Sequence, residues 1–265
     1  MVARAGPKQR LKRQMMIHQR HGVSMTINRM NPQLARKMEI RYSQQLRKIA
    51  GYVDTIVKGF DVNDPRSWPL IRASLNEYGN TLHFWAENAA GRIITDVALR
   101  NEKTWLIYAE DLSRGVKDQI RNTDIGAVYQ QLLNEQVRLI KSLPLEAAQR
   151  VHDLSTRALI EGSRASEISS LIMATGHVTK SRANTIARTE VSRASSVFTQ
   201  ARAQNLGSEG YIWRDSDRVD VRPSHHAMNG VFVFWDKPPT LDRLTGHAGC
   251  LPNCYCYPEP VIPDD

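Results

Sequence analysis

Four residues near the C-terminal end of the chain carry side chains that suit a single metal ion: His225, His247, Cys254 and Cys256. Two thiolates and two imidazoles satisfy tetrahedral zinc, and a small loop-rich module gains most from such a clamp. All three cysteines of the 265-residue chain, Cys250, Cys254 and Cys256, fall within seven positions. Three neighbouring cysteines cannot all pair, which favours metal ligation or free thiols over a disulfide framework and fits a protein made in a reducing cytoplasm. The spacing Cys254-Tyr255-Cys256 is C-x-C, tighter than the C-x₂₋₄-C of common zinc knuckles. On an extended strand, residues i and i+2 share a face, so both sulfurs can reach one ion. Cys250 and His226 are substitute ligands. The competing reading makes the cysteines small buried hydrophobes, with His225 bonded to a turn and His247 in an exposed Gly-rich loop.

Catalysis has weaker support. A catalytic zinc needs an open position and usually a nearby carboxylate base, and neither H-E-x-x-H nor H-x-E…P-C-x-x-C occurs. There is no P-loop, G-x-G-x-x-G or G-x-S-x-G, and no catalytic residue is assigned. Arg188-Thr189-Glu190 reads as a solvated helix face or, alternatively, as a cap on the module that follows. Arg214, Asp215, Asp217, Arg218 and Asp220 read as a turn with local pairs rather than an acid/base dyad.

The elements that must position these residues divide the chain into three stretches. The fold class is α+β: a mainly helical body of long helices, then a small β-rich C-terminal module. Residues 1–30 form a basic flexible arm, 31–178 the helical body, and 179–265 a long helix plus the β-rich module. Asn31-Pro32 opens the first helix, whose apolar residues from Leu34 to Phe60 recur at spacings of three and four. Ser67 and Pro69 open a second that carries Leu75 to Val97, and Trp105 opens a third. Asp124 caps a fourth, Pro144 begins a fifth, and a short sixth follows from Ser166 until Gly176 breaks it. Thr179 caps the long seventh helix, which ends near Gly207. Beyond it, Tyr211–Trp213, Val231–Trp235 and Tyr255–Tyr257 suit strands, with Pro223, Asn229-Gly230 and Pro238-Pro239 as turns.

Charge is concentrated at one end. Residues 1–48 hold twelve Lys/Arg against one acid, Glu39, which exceeds the +9 of the whole chain. A basic end on a near-neutral body points to a polyanion such as double-stranded DNA, bound through its phosphates without regard to sequence. Arg4, Lys8, Arg10, Lys12, Arg13 and Arg20 are the candidate contacts. No aromatic residue interleaves these cations before Tyr42, which argues against stacking on single-stranded bases. A solvated arm without a fixed partner is the plainer reading. No apolar run approaches the ~20 residues of a membrane span, so no membrane partner is expected.

From about Ile186 to Ile262 the order of short motifs resembles a known family. The pieces are Ala187-Arg188-Thr189-Glu190, Tyr211-Ile212-Trp213, Arg222-Pro223-Ser224-His225 with Met228-Asn229-Gly230, and Phe234-Trp235-Asp236 with Pro238-Pro239. Gly246-His247-Ala248-Gly249 and Pro252-Asn253-Cys254-Tyr255-Cys256 follow, then Glu259-Pro260-Val261. This series is similar to the Mu F-like family of phage minor head proteins, the head morphogenesis family related to the gene-7 product of phage SPP1. It departs from the family in having Tyr255 where C-R-C is usual, and in the additional Cys250. The resemblance implies a minor capsid protein incorporated into the procapsid at the portal, acting in head morphogenesis and in DNA packaging or ejection. Its implied partners are the portal protein, capsid and scaffold proteins and the packaged DNA, and its implied place is the virion, in the head interior or near the portal.

Two other classes compete. A metal-dependent nuclease or phosphodiester hydrolase would be built on His225, His226, Asn253 and His247. An effector or toxin-associated module is the other, which the lack of a further domain after Asp265 weakens. The charge reading makes a measurable prediction. Removing residues 1–30 lowers affinity for duplex DNA and flattens log K against log salt, by about 5 if all six candidate cations meet phosphates. Filter binding across a salt series reads the slope, and an unchanged slope rejects the arm as the DNA contact.

Overall fold

In a computed structural model, residues 23–24, 32–109, 114–161 and 165–263 are described. The chain order is β1 (Val23–Ser24), α1 (Pro32–Lys58), α2 (Ser67–Thr81), α3 (His83–Tyr108), α4 (Arg114–Arg121), α5 (Gly126–Glu161), α6 (Ala165–Met173) and α7 (Thr175–Asn205). There follow β2 (Gly210–Arg214), α8 (Pro223–Ala227), β3 (Phe232–Phe234), β4 (Thr240–Leu241), β5 (Leu244–Thr245) and β6 (Tyr257–Ile262). This is the expected α+β class, long helices followed by a few short antiparallel strands. Apart from Val23–Ser24, the arm lies outside the described residues.

Packing groups residues 37–93 with 131–188 as one unit. Its core joins Val53 and Val57 of α1, Trp68, Ile71 and Leu75 of α2, Ala147, Val151 and Leu154 of α5, and Ile168 and Ile172 of α6. Trp68 donates its indole N–H to the Val62 carbonyl at 2.9 Å, so the large ring is buried without stranding its polar atom. Tyr42 likewise donates to Gln136 Oε1 at 2.8 Å inside the unit.

Several helix boundaries differ from the sequence reading. Pro144 does not open a helix but sits inside the 36-residue α5. A proline in a helix interior forfeits one N–H donor, yet the apolar stripe of Ile140, Leu143, Ala147 and Val151 runs past it and stays buried. Its ring and Leu145 pack on Gly79 of α2, where a Cβ would stand 2.8 Å from Leu145 Cδ2. The stretch read as one helix from Ser67 to Val97 breaks instead at Leu82, with no glycine or proline there to announce it. Trp105 lies within α3 rather than at a helix start. Asp124 does cap, its Oδ1 accepting the Gly126 N–H at 2.9 Å. Gly176 does not break the chain but lies in the first turn of α7, and Thr179 donates back to the Thr175 carbonyl at 2.9 Å instead of capping.

Residues 94–130 and 189–265 share the second unit with β1. Trp105, Ile120, Ala203, Tyr211, Trp213, Val233, Trp235, Leu251, Cys254 and Cys256 form its core. The sheet order is β1-β6-β2-β3, antiparallel throughout. Trp213 of β2 exchanges backbone bonds on the β3 side, through Val231 O and the Gly230 N–H, so Gly210, Ile212 and Arg214 face β6. Their partners are Val261, Glu259 and Tyr257. Pro258 and Pro260, which have no N–H to give, therefore face the outer edge of β6. There β1 pairs only with Val261 and Ile262. A separate hairpin pairs β4 with β5 through Asp242 and Arg243, both at positive φ (52° and 67°), as a two-residue turn requires.

The segment 246–256 lies close on α7. Gly249 has φ +80°, and a Cβ there would stand 2.3 Å from Ser196 Oγ and 2.9 Å from the Cys256 carbonyl oxygen. Gly230 has φ +82° with nothing within 4 Å of the same point. Gly249→Ala is thus expected to cost about 2–4 kcal/mol, from left-handed strain plus overpacking, whereas Gly230→Ala costs only the strain, about 1–2 kcal/mol. Urea unfolding of the two variants measures the difference.

Candidate metal centre

Three of the four predicted ligands come together, from elements that the sequence alone does not pair. His225 is on α8, a single turn opened by Pro223 at its first position. Cys254 and Cys256 lie in the irregular segment before β6, not on a strand. The left-handed Asn253 (φ 55°) and the bond from the Cys254 N–H to the Leu251 carbonyl (3.0 Å) turn the chain there. The sulfurs thus converge through a turn, and not through strand alternation.

His225 Nδ1 lies 3.3 Å from Cys254 Sγ and 3.7 Å from Cys256 Sγ. The ligand atoms of the three residues are all within 4.8 Å of one another, and each residue is buried. The group can hold a metal ion. Trp213 meets the His225 ring edge to face at 5.6 Å. Its buried indole N–H has no oxygen or nitrogen acceptor and faces the Cys256 sulfur.

The two sulfurs titrate as one unit. Cys256 S–H donates to Cys254, which holds the Cys254 thiol well below its ordinary value against the opposing effect of burial. Backbone N–H groups of Gly249 and Cys256 donate to the same sulfur. Cys256 is pushed far up, by that shared hydrogen bond first and by burial second. Cys250 is half-buried and free of disulfides, and burial pushes its thiol up to about 12.

His247 is held elsewhere. Its Nδ1 is 3.2 Å from Tyr211 Oη and its Nε2 is 3.1 Å from the Trp235 carbonyl oxygen. Tyr211 Oη accepts the Ala248 N–H at 3.1 Å, so its own proton goes to Nδ1. His247 is then a neutral imidazole protonated at Nε2, with both nitrogens used. Burial lowers its pKa, partly offset by the bond to Trp235. His226 reaches the buried Asp215, Nδ1 to Oδ2 at 2.5 Å. Arg214 pairs with Glu259, and Arg218 pairs with Asp220 at 3.0 Å while lying 4.3 Å over the Tyr255 ring.

Sequence reasoning preferred a solvated face for Arg188-Thr189-Glu190, but Thr189 is buried. Its Oγ1 accepts the Asn253 N–H at 3.1 Å and ties the cysteine turn to α7. Glu190 pairs along the helix with Arg193 at 2.9 Å. The only signal for Thr189 was the alternative that this stretch caps the module. Arg4, Lys8, Arg10, Lys12, Arg13 and Arg20 lie outside the described residues. No helix among the described residues is long and apolar enough to cross a membrane.

Residues 149–258 match the family described as "Phage Mu protein F like protein". The C-terminal part of the chain is thus similar to the Mu F-like family. The matched stretch starts inside α5, well before the motifs read from the sequence, and takes in His225, Cys254 and Cys256. Over 252 residues the chain is 26% identical to a protein of Haemophilus influenzae (strain Rd) bearing only the words "Uncharacterized protein", covering 86% of this chain and 54% of that one. The chain thus spans about half the length of that relative. No solved structure matches it.

The bonding of His247 sets a pH dependence. Its folded pKa lies below the ordinary 6.5. As pH falls below that value the unfolded chain takes up a proton before the folded one, and stability drops until the folded pKa is passed. His247→Gln, which keeps a polar side chain without titrating, is expected to show a smaller loss between pH 7 and pH 5 than the parent. Urea midpoints at the two pH values measure it.

Proposed function

We propose that this chain is a structural component of a phage head: a minor capsid protein incorporated into the procapsid at the portal, acting in head morphogenesis and in DNA packaging or ejection. The observation that carries this reading is the Mu F-like match over residues 149–258, which spans the last third of α5, all of α7 and the cysteine–histidine centre. Its partners in this reading are the portal protein, capsid and scaffold proteins, and duplex DNA met by the basic arm. Long helices with exposed apolar side chains, such as Phe84 on α3 and Ile160 on α5, supply surface for protein contacts. The protein then resides in the virion, inside the head or near the portal, after synthesis in the host cytoplasm.

The site chemistry accords with a part that builds rather than turns over substrate. Both nitrogens of His247 are engaged, so this member of the hydrolase reading serves structure. The cluster sits in the core, where it closes the module.

Mass spectrometry of purified particles is expected to find the chain in mature virions, and deletion of its gene is expected to leave heads that form but lose infectivity. Absence from particles refutes the reading. So does metal-dependent cleavage of plasmid DNA by the purified protein that disappears in His225→Ala.

A further inference from the structure

We propose that His225, Cys254 and Cys256 bind one zinc ion, through His225 Nδ1 and the two sulfurs, and that this ion closes the C-terminal module. The separations fit the ion. In a tetrahedron with zinc–nitrogen bonds of about 2.0–2.1 Å and zinc–sulfur bonds of about 2.3 Å, the nitrogen–sulfur edge is ~3.6 Å. The observed 3.3 and 3.7 Å bracket that edge. Two sulfurs and one imidazole form a donor set that suits zinc over the harder divalent ions.

Hydrogen-bond donors face both sulfurs. Cys254 Sγ receives the backbone N–H groups of Gly249 and Cys256, and Trp213 aims its otherwise unpartnered indole N–H at Cys256. Two buried thiolates together carry a charge that the apolar core cannot hold, and a divalent cation between them cancels it. Among the described residues no neighbour takes the fourth position. His247 has committed both ring nitrogens, and the Asp215 carboxylate is engaged by His226 and the Asp217 N–H. Cys250 stands outside the group of converging atoms. In the proposed site a small exogenous ligand such as water completes the tetrahedron.

The ion would link α8 to the turn before β6. Strands of two to six residues and an α8 of five have little cooperative strength of their own. A bond network from α8 to that turn stabilises the folded state directly.

The test uses the full-length protein. Elemental analysis is expected to find about one zinc per chain, and a strong chelator to lower the melting temperature, with recovery on adding zinc back. Cobalt exchange is expected to give the sulfur-to-cobalt charge-transfer band. Cys254→Ser, Cys256→Ser and His225→Asn are expected to lose the metal, while Cys250→Ser and His247→Gln keep it. A wild-type protein without stoichiometric metal, whose melting neither chelator nor added zinc moves, overturns the proposal. So does a Cys250→Ser or His247→Gln protein that remains folded yet loses the ion. None of these outcomes depends on whether the chain is found in virions.

Discussion

Two sulfurs and an imidazole nitrogen cannot be buried side by side in an apolar core without something to settle where their protons go. That constraint organises the C-terminal unit. Cys254 and Cys256 share a proton, Trp213 and two backbone N–H groups face the sulfurs, and His225 completes the cluster from a different element. The rest of the unit holds these groups in register. β2 presents Trp213, α8 presents His225, and the left-handed Asn253 bends the chain so that both sulfurs point inward.

α7 is the floor on which this arrangement rests. Thr189 takes the Asn253 N–H, and Ser196 lies so close to Gly249 that no side chain fits between them. Three residues further along, Asn101 of α3 donates to Thr199 at 2.8 Å, and Arg202 reaches Glu102 at 3.3 Å, so the same helix is anchored on a second side. A helix held this way on two sides is a rigid base for a module whose own strands are short. The Mu F-like match includes all of α7 and the cysteine turn that rests on it.

Much of this was legible in the residues. The Asn31-Pro32 start and the three-four spacing read α1 correctly, because start signal and period agree over seven turns. The aromatic runs located β2 and β3. Residue type alone chose three side chains that do converge, since few other reasons gather thiols and imidazoles at one end of a chain. Other features follow from tertiary contacts that no local pattern encodes. Pro144 is a sound terminator by local rules, but packing on Gly79 carries the helix through it. Leu82 ends α2 without any breaker residue. His247 looked like a ligand because its type and position suited one, but the Tyr211 hydroxyl and the Trp235 carbonyl hold both its nitrogens. β1 has two residues, too few to show a period.

The prolines of β6 bear on how such a molecule behaves among many neighbours. A bare sheet margin invites a strand from the next molecule, and repeated pairing of that kind ends in fibres. Pro258 and Pro260 remove the donors along most of that margin, and Val23–Ser24 takes up the short stretch that still has one. Along that margin crowded copies meet through side chains, so contacts made there are decided by complementary surfaces rather than by indiscriminate backbone adhesion.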